Sequence, residues 1–216
     1  MNKTDLKLYA ITDRQWLHGA RLSEHVKLAI EGGATMIQIR DKDILSTDSD
    51  AGLKDEYNEA LEIKRICHEH KVPLIINDNV QFAIDIDADG VHLGQDDMNP
   101  AEARKLLGTD KIIGVTAKTV EQAKRAEADG ADYLGSGAVF GSTTKLNAKP
   151  MTKELLREIT AAVDIPVVAI GGINAYNAVT LKGTGIAGIA VVGAIFASAD
   201  IKAAAKKLAE ICDKIL

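Results

Sequence analysis

Eight short apolar runs recur along the chain, and longer amphipathic stretches separate them. The runs span residues 8–13, 36–41, 73–78, 90–94, 112–117, 133–140, 167–172 and 189–195. Most are too short and too rich in β-branched residues for helices, and near-continuous apolarity is typical of parallel strands covered on both faces. Several of the amphipathic stretches end in glycine, as helices commonly do. The pattern therefore predicts strand and helix in alternation, eight times.

Eight strand–helix units in 216 residues predict a (β/α)8 TIM barrel that forms one domain over residues 1–216. An open doubly wound sheet is the alternative. That fold usually has fewer strands, and the first glycine-rich turn here does not have the GxGxxG pattern. In a barrel, chemically active groups lie at the C-terminal ends of the strands and in the loops that follow.

Composition limits the partners and the cellular location that are expected for such a barrel. The net charge of −5, without blocks of like charge, argues against a nucleic-acid partner. We expect a cytoplasmic protein without a membrane partner, because the start lacks an apolar signal core and no run reaches membrane length. Two distant cysteines, Cys67 and Cys212, do not make a disulfide framework. Cys67 beside His68 is better explained by helix packing than by metal binding. The sequence does not specify whether the protein forms a homo-oligomer.

Acidic residues follow the third and fourth apolar runs. We predict Asp78 and Asp97 as Mg²⁺ ligands, because Mg²⁺ takes one or two carboxylates together with substrate phosphate oxygens. A helix N-cap is the alternative for Asp78, and an ordinary loop acid is the alternative for Asp97. The acids at 85–89 resemble the start of a calcium loop, but the twelfth position holds Asp96 where that loop requires Glu.

Polar and basic residues follow the second run at alternate positions. Gln38, Arg40 and Lys42 should therefore point to one side, into the barrel lumen, where unpaired charge is costly unless a ligand balances it. A forked Arg and a point-charge Lys suit a diphosphate. The alternative is a structural ion pair with Asp41 or Asp43.

The loop after the sixth run combines hydroxyls with a cation. Ser142, Thr144 and Lys145 could wrap phosphate oxygens, although polar loops with lysine are common.

Glycines after the last two runs suggest a second phosphate site. Gly172, with Gly193 and Ala194, would offer backbone N–H groups where barrels commonly bind phosphate. A tight turn that requires positive φ is the alternative for Gly171 and Gly172.

Taken together, these segments resemble the thiamine phosphate synthase family. The matching motifs are QIRDK (38–42), IIND (75–78), ADGVHLGQDD (88–97), IIGVTAKT (112–119), GADYLGSGAVFGSTTK (130–145), VVAIGGI (167–173) and AVVGAIF (190–196). The resemblance implies a Mg²⁺-dependent transferase of thiamine biosynthesis. Such an enzyme joins 4-amino-2-methyl-5-hydroxymethylpyrimidine diphosphate to thiazole phosphate through a pyrimidine cation and releases pyrophosphate.

The resemblance also implies individual roles. Gln38 would contact the pyrimidine, and Thr116 would act as a hydroxyl donor. Asp78 and Asp97 would hold Mg²⁺. The expected diphosphate ligands are Arg40, Lys42, Asn77, Ser142, Thr144 and Lys145, of which Arg40, Lys42 and Lys145 act in catalysis together with Thr116. The expected thiazole phosphate ligands are Gly172, Gly193 and Ala194.

The chain departs from the family pattern at four positions. Thr116 and Lys118 stand where the family usually has Ser and His, Gly141 replaces a proline, and Gly193 replaces a common serine. A thiazole tautomerase-like barrel and a non-catalytic barrel that binds phosphorylated metabolites are the alternatives. Neither alternative requires the three residue sets Asn77-Asp78, Gln95-x-Asp97 and Thr144-Lys145.

Overall fold

The strands of the chain close into a parallel barrel. The computed structural model describes residues 1–40, 50–141 and 150–216. The strands are β1 (Leu8–Ile11), β2 (Met36–Ile39), β3 (Leu74–Asn77), β4 (Gly90–Leu93), β5 (Ile112–Thr116), β6 (Tyr133–Gly137), β7 (Val167–Ile170) and β8 (Gly188–Val191). Each strand pairs in parallel with the next, and β8 pairs with β1. The predicted (β/α)8 barrel is confirmed.

Helices cover the outside of the barrel. They are α1 (Leu22–Glu31), α2 (Asp50–Glu69), α3 (Val80–Asp85), α4 (Pro100–Leu107), α5 (Val120–Ala128), α6 (Lys153–Ala161), α7 (Gly193–Phe196) and α8 (Ile201–Ile215). Short 3₁₀ turns occur at Lys3–Leu6, Arg14–Trp16 and Ala178–Leu181. The helix expected between β7 and β8 is replaced by the last of these turns. Gly183 and Gly185 follow it with positive φ, which an α-helix does not accommodate.

The core has two shells, because side chains alternate between the lumen and the helix layer along each strand. The lumen shell consists of Leu6, Tyr9, Ile11, Met36, Ile75, Ile112, Tyr133, Val168, Ala187 and Ala190. The outer shell packs the other strand faces against the helices and includes Cys67 and Cys212. Desolvation by burial raises the pKa of each thiol to about 12. The packed role predicted for Cys67 is confirmed.

The acidic stretch 85–89 has structural partners. The Asp87 carboxylate accepts hydrogen bonds from Lys111 and Lys64, which lower its pKa to about 2. Asp89 accepts the Leu74 backbone N–H at 2.8 Å. This stretch is a helix end that leads into β4, as the argument against a calcium loop predicted. Within the described residues, no helix is both long enough and apolar enough to cross a membrane.

Candidate active site

A cavity of about 430 Å³ opens among the C-terminal ends of the strands. It brings together seven of the residues predicted from the sequence, which are Gln38, Arg40, Asn77, Thr116, Gly172, Gly193 and Ala194. The other predicted substrate ligands, Lys42, Ser142, Thr144 and Lys145, lie outside the described residues. The cavity mixes an apolar floor with polar groups from most of the strands.

Arg40 is held where β2 ends. Its backbone N–H donates to Thr12 Oγ1 at 3.1 Å, and its Nη1 lies 3.9 Å from Asp13 Oδ2. The side chain is 13% exposed. An ion pair at 3.9 Å leaves most of the guanidinium donors available to an anion in the cavity. Asp41 and Asp43, the alternative partners, lie outside the described residues.

Asp78 lies at the junction of β3 and β4. Its backbone N–H donates to the His92 carbonyl at 2.8 Å, and its Oδ2 accepts from Asn77 Nδ2 at 2.5 Å. Its φ of 61° is unusual for a non-glycine residue. The N-cap of α3 is Asn79, whose side chain accepts the Phe82 N–H. The capping alternative for Asp78 is therefore wrong.

Asp97 lies in the loop between β4 and α4. Its Oδ2 accepts the Gly94 N–H at 2.6 Å, and it lines a second pocket of about 260 Å³ beside α5. Neither Asp97 nor Asp78 is among the described residues that line the larger cavity.

The donor chemistry of these two acids fits Mg²⁺, because both are hard oxygen ligands in the segments that follow two neighbouring strands. No cluster of three or more His, Cys, Asp or Glu that could hold a metal occurs in the described parts of the chain. A Mg²⁺ ion that keeps several waters does not need such a cluster. The Mg²⁺ site stays a prediction.

The glycines after β7 pack closely against the segment that follows β6. Gly172 has a φ of 63°, and a Cβ added there would lie 2.5 Å from the Phe140 carbonyl oxygen. The backbone hydrogen bonds among the described residues do not engage the N–H groups of Gly193 or Ala194. A tight turn at these glycines and phosphate binding by the nearby backbone N–H groups are therefore compatible.

A chain of hydrogen bonds crosses the lumen and includes three residues that sequence reasoning missed. Gln38 Nε2 donates to the Tyr9 hydroxyl at 2.5 Å, and the hydroxyls of Tyr9 and Tyr133 are 2.9 Å apart. His92 joins the chain through Nδ1, 3.0 Å from the Tyr133 hydroxyl, and Nε2, 3.0 Å from Thr116 Oγ1. We call these five residues the lumen chain.

The two tyrosines of the lumen chain are fully buried. Desolvation raises the pKa of Tyr9 and the pKa of Tyr133 well above the ordinary value, so both hydroxyls keep their protons. Neighbouring glycines make the room: a Cβ on Gly114 would lie 2.1 Å from the Tyr133 ring, and one on Gly135 would lie 3.1 Å from His92 Cε1. Period-two alternation within LYAI and GVHL was the signal that could have placed Tyr9 and His92 in the lumen.

Lys118 places a cation at the rim of the cavity. It lines the cavity just after β5, and its backbone N–H donates to Gln122 Oε1 at 2.7 Å. Its ammonium forms no ion pair with an acid in the ranges 1–40, 50–141 and 150–216. A cation at this position is available to an anionic ligand.

A closed parallel barrel with a polar cavity at the C-terminal ends of its strands defines a (β/α)8-barrel enzyme. A family model described as "Thiamine monophosphate synthase" matches residues 8–195. The chain belongs to this family and is, like the thiamine-phosphate synthases that it matches, a transferase. The resemblance seen in its motifs is confirmed.

Individual relatives agree with the family match. The chain is 49% identical over 210 residues to the thiamine-phosphate synthase of Ruminiclostridium cellulolyticum, with 97% of both chains covered. It is 48% identical over 206 residues to that of Clostridium novyi, covering 95% of this chain and 98% of the relative. The solved structure of thiamine phosphate pyrophosphorylase from Pyrococcus furiosus superposes with a TM-score of 0.87 at 38% identity, covering 99% of this chain and 98% of that one.

Proposed function

We propose that this enzyme makes thiamine phosphate from 4-amino-2-methyl-5-hydroxymethylpyrimidine diphosphate and thiazole phosphate, with Mg²⁺, and releases pyrophosphate. One observation carries the proposal. The cavity gathers Gln38, Arg40, Asn77, Thr116, Gly172, Gly193 and Ala194 in a chain that is 49% identical to a thiamine-phosphate synthase over nearly its whole length. These residues offer two side-chain amides, a hydroxyl, a guanidinium and backbone N–H groups to a ligand.

The diphosphate binds at the β2 and β3 side of the cavity. Arg40 supplies forked donors and Asn77 an amide, while Lys42, Ser142, Thr144 and Lys145 carry the same role on sequence grounds. When the pyrimidine methylene–oxygen bond breaks, the electron pair leaves with pyrophosphate. Positive groups accelerate this step because they stabilise the growing negative charge more than they stabilise the ground state.

The pyrimidine is held between Gln38 and Thr116. Its amino group stabilises the methylene cation that remains after pyrophosphate departs. The thiazole nitrogen then donates its lone pair to that carbon and forms the new carbon–nitrogen bond. No side-chain nucleophile is required for either step.

The thiazole phosphate binds at Gly172, Gly193 and Ala194. The backbone N–H groups of Gly193 and Ala194 are suited to phosphate oxygens, and glycine permits the close approach. Anchoring the phosphate there orients the thiazole nitrogen towards the cation.

Asp78 and Asp97 would hold the Mg²⁺, which when bound neutralises charge on the diphosphate. The side-chain amide of Asn77 already hydrogen-bonds the Asp78 carboxylate, which limits the orientations that this ligand can adopt.

The test is a direct assay. Purified protein is mixed with the pyrimidine diphosphate, thiazole phosphate and MgCl₂, and thiamine phosphate and pyrophosphate are quantified over time. We expect equimolar products and no product when EDTA is present. Absence of thiamine phosphate would contradict the proposal and favour a tautomerase or a binding protein; undiminished synthesis in EDTA would contradict the Mg²⁺ requirement.

A further inference from the structure

The lumen chain has a direction, because each hydroxyl and a neutral imidazole carry one proton, and each buried proton needs an acceptor within the chain. Either every proton points from Gln38 towards Thr116, or every proton points the opposite way. The two directions are distinguished at His92. In the first, Nδ1 accepts from Tyr133 and Nε2–H donates to Thr116. In the second, Nδ1–H donates to Tyr133 and Nε2 accepts from Thr116.

The orientation of Gln38 selects the first direction. Its Nε2 faces the Tyr9 hydroxyl at 2.5 Å, and an amide nitrogen can only donate. Tyr9 then donates to Tyr133, at 2.9 Å, because among the described residues its buried proton has no other acceptor. Tyr133 in turn donates to His92 Nδ1, at 3.0 Å. In a neutral imidazole the proton is then on Nε2, which faces Thr116 Oγ1.

We propose that His92 is a positioning residue that fixes the hydrogen-bonding polarity of the cavity. By donating to Thr116 Oγ1 it leaves the threonine hydroxyl proton directed at the ligand. At the other end, Gln38 uses its N–H group on Tyr9 and presents its carbonyl oxygen to the ligand. The two ends of the lumen chain therefore offer the ligand one acceptor and one donor, contributed by different strands.

This pair matches an aminopyrimidine, in which the exocyclic amine donates and a ring nitrogen accepts. The match rests on the proposed function. The polarity of the lumen chain does not, because it is a property of the substrate-free protein.

The surroundings of the lumen chain keep it intact. Tyr9 and Tyr133 are fully buried and protonated, so water does not compete for their hydroxyls. The absence of side chains at Gly114 and Gly135 leaves the volume that the rings of Tyr133 and His92 occupy.

The first experiment measures the tautomer of His92. In substrate-free protein with ¹⁵N-labelled histidine, a long-range ¹H–¹⁵N spectrum should show Nδ1 unprotonated and Nε2 protonated. His92→Asn provides the assignment by loss of the signal. A protonated Nδ1 in the wild-type protein would overturn the proposal, and this result requires no variant to fold and no substrate to turn over.

The second experiment reverses the polarity. Gln38→Glu places a carboxylate, which can only accept, next to Tyr9, and we expect Nδ1 of His92 to become protonated. Tyr133→Phe interrupts the chain, so in Tyr133→Phe/Gln38→Glu the state of His92 should no longer respond to residue 38. An unprotonated Nδ1 in Gln38→Glu, or the same response in the double variant, would overturn the coupling.

Steady-state kinetics distinguishes a positioning role of the lumen chain from a purely structural role. Tyr133→Phe should lower kcat/KM for the pyrimidine diphosphate about tenfold, the scale of one misdirected hydrogen bond, and leave KM for thiazole phosphate unchanged. Equal losses for both substrates would indicate general disruption and contradict the proposal. If no thiamine phosphate forms with wild-type protein, the proposed function fails while the tautomer result stands.

Discussion

Glu59 on α2 forms an ion pair with Arg14 in the turn that follows β1, with 2.9 Å between Oε2 and Nη1. The other carboxylate oxygen accepts the Leu22 backbone N–H at 2.8 Å, at the first residue of α1. Glu59 is 8% exposed. One nearly buried carboxylate thus joins the β1–α1 connection to the second helix.

Replacing this carboxylate should destabilise the barrel. We expect Glu59→Ala to lower the free energy of unfolding by about 3 kcal/mol, because it removes one acceptor of the partly buried Arg14 guanidinium and the acceptor of the Leu22 N–H. Urea unfolding measures the change. Glu62→Ala is the control, since Glu62 pairs with Arg21 at the surface and should cost less than about 1 kcal/mol. Equal losses in the two variants would contradict the structural role of Glu59.

The two acids proposed for Mg²⁺ can be tested without disturbing the backbone. Asn tolerates the φ of 61° at position 78, and at position 97 it still offers an oxygen to the Gly94 N–H. We expect Asp78→Asn and Asp97→Asn each to lower kcat/KM at least ~100-fold and to raise the Mg²⁺ concentration that gives half-maximal activity. Asp96→Asn, at the exposed neighbouring acid, should have wild-type kinetics. An unchanged Mg²⁺ dependence in the first two variants would remove these residues from the metal site.

Lys118 should contribute to binding of an anionic substrate. Lys118→Met keeps most of the side-chain length and removes the charge at the cavity rim, so KM for the pyrimidine diphosphate should rise about tenfold, as for the loss of one charge-assisted hydrogen bond. Steady-state kinetics at low and high salt measures the effect, which should shrink as salt increases. Lys124→Met, on the exposed face of α5, is the matched control. The same KM shift in both variants would indicate a long-range charge effect instead of a contact.

Gly172 and Gly183 offer a matched pair for separating backbone conformation from steric overlap. Both have positive φ, but a Cβ at Gly183 meets nothing within 4 Å, whereas one at Gly172 lies 2.5 Å from the Phe140 carbonyl oxygen. Gly183→Ala should cost about 1 kcal/mol of unfolding free energy and Gly172→Ala about 2–4 kcal/mol. Urea titration compares them. A smaller loss at position 172 would mean that the segment around Phe140 moves aside at little cost.

The barrel could be predicted from sequence because each strand is a short apolar run that an amphipathic stretch separates from the next. At β3 and β5 the polar last residues, Asn77 and Thr116, also mark where the strand leaves the core. The absence of an α-helix before β8 could not be predicted from hydrophobic spacing, because that spacing does not report the positive φ of Gly183 and Gly185.

The hydrogen bonds of the lumen chain could not be predicted from the sequence for a different reason. Tyr9 and Tyr133 are 124 positions apart, and alternation alone tells only that each side chain faces inwards. Whether two hydroxyls meet depends on the register around the whole barrel, which local patterns do not specify. Asp97 shows a related limit, since its hydrogen bond to Gly94 depends on the conformation of the loop between them.

The lumen chain has an evolutionary consequence for the family. Positions 38 and 116 lie on different strands and do not touch, yet the hydrogen bonds through Tyr9, Tyr133 and His92 connect them. We therefore expect the residues accepted at one of these positions to depend on the residue at the other. Relatives that have acquired a new ring preference should show correlated replacements at these two positions, and a library that varies only one of them would sample mostly mismatched pairs.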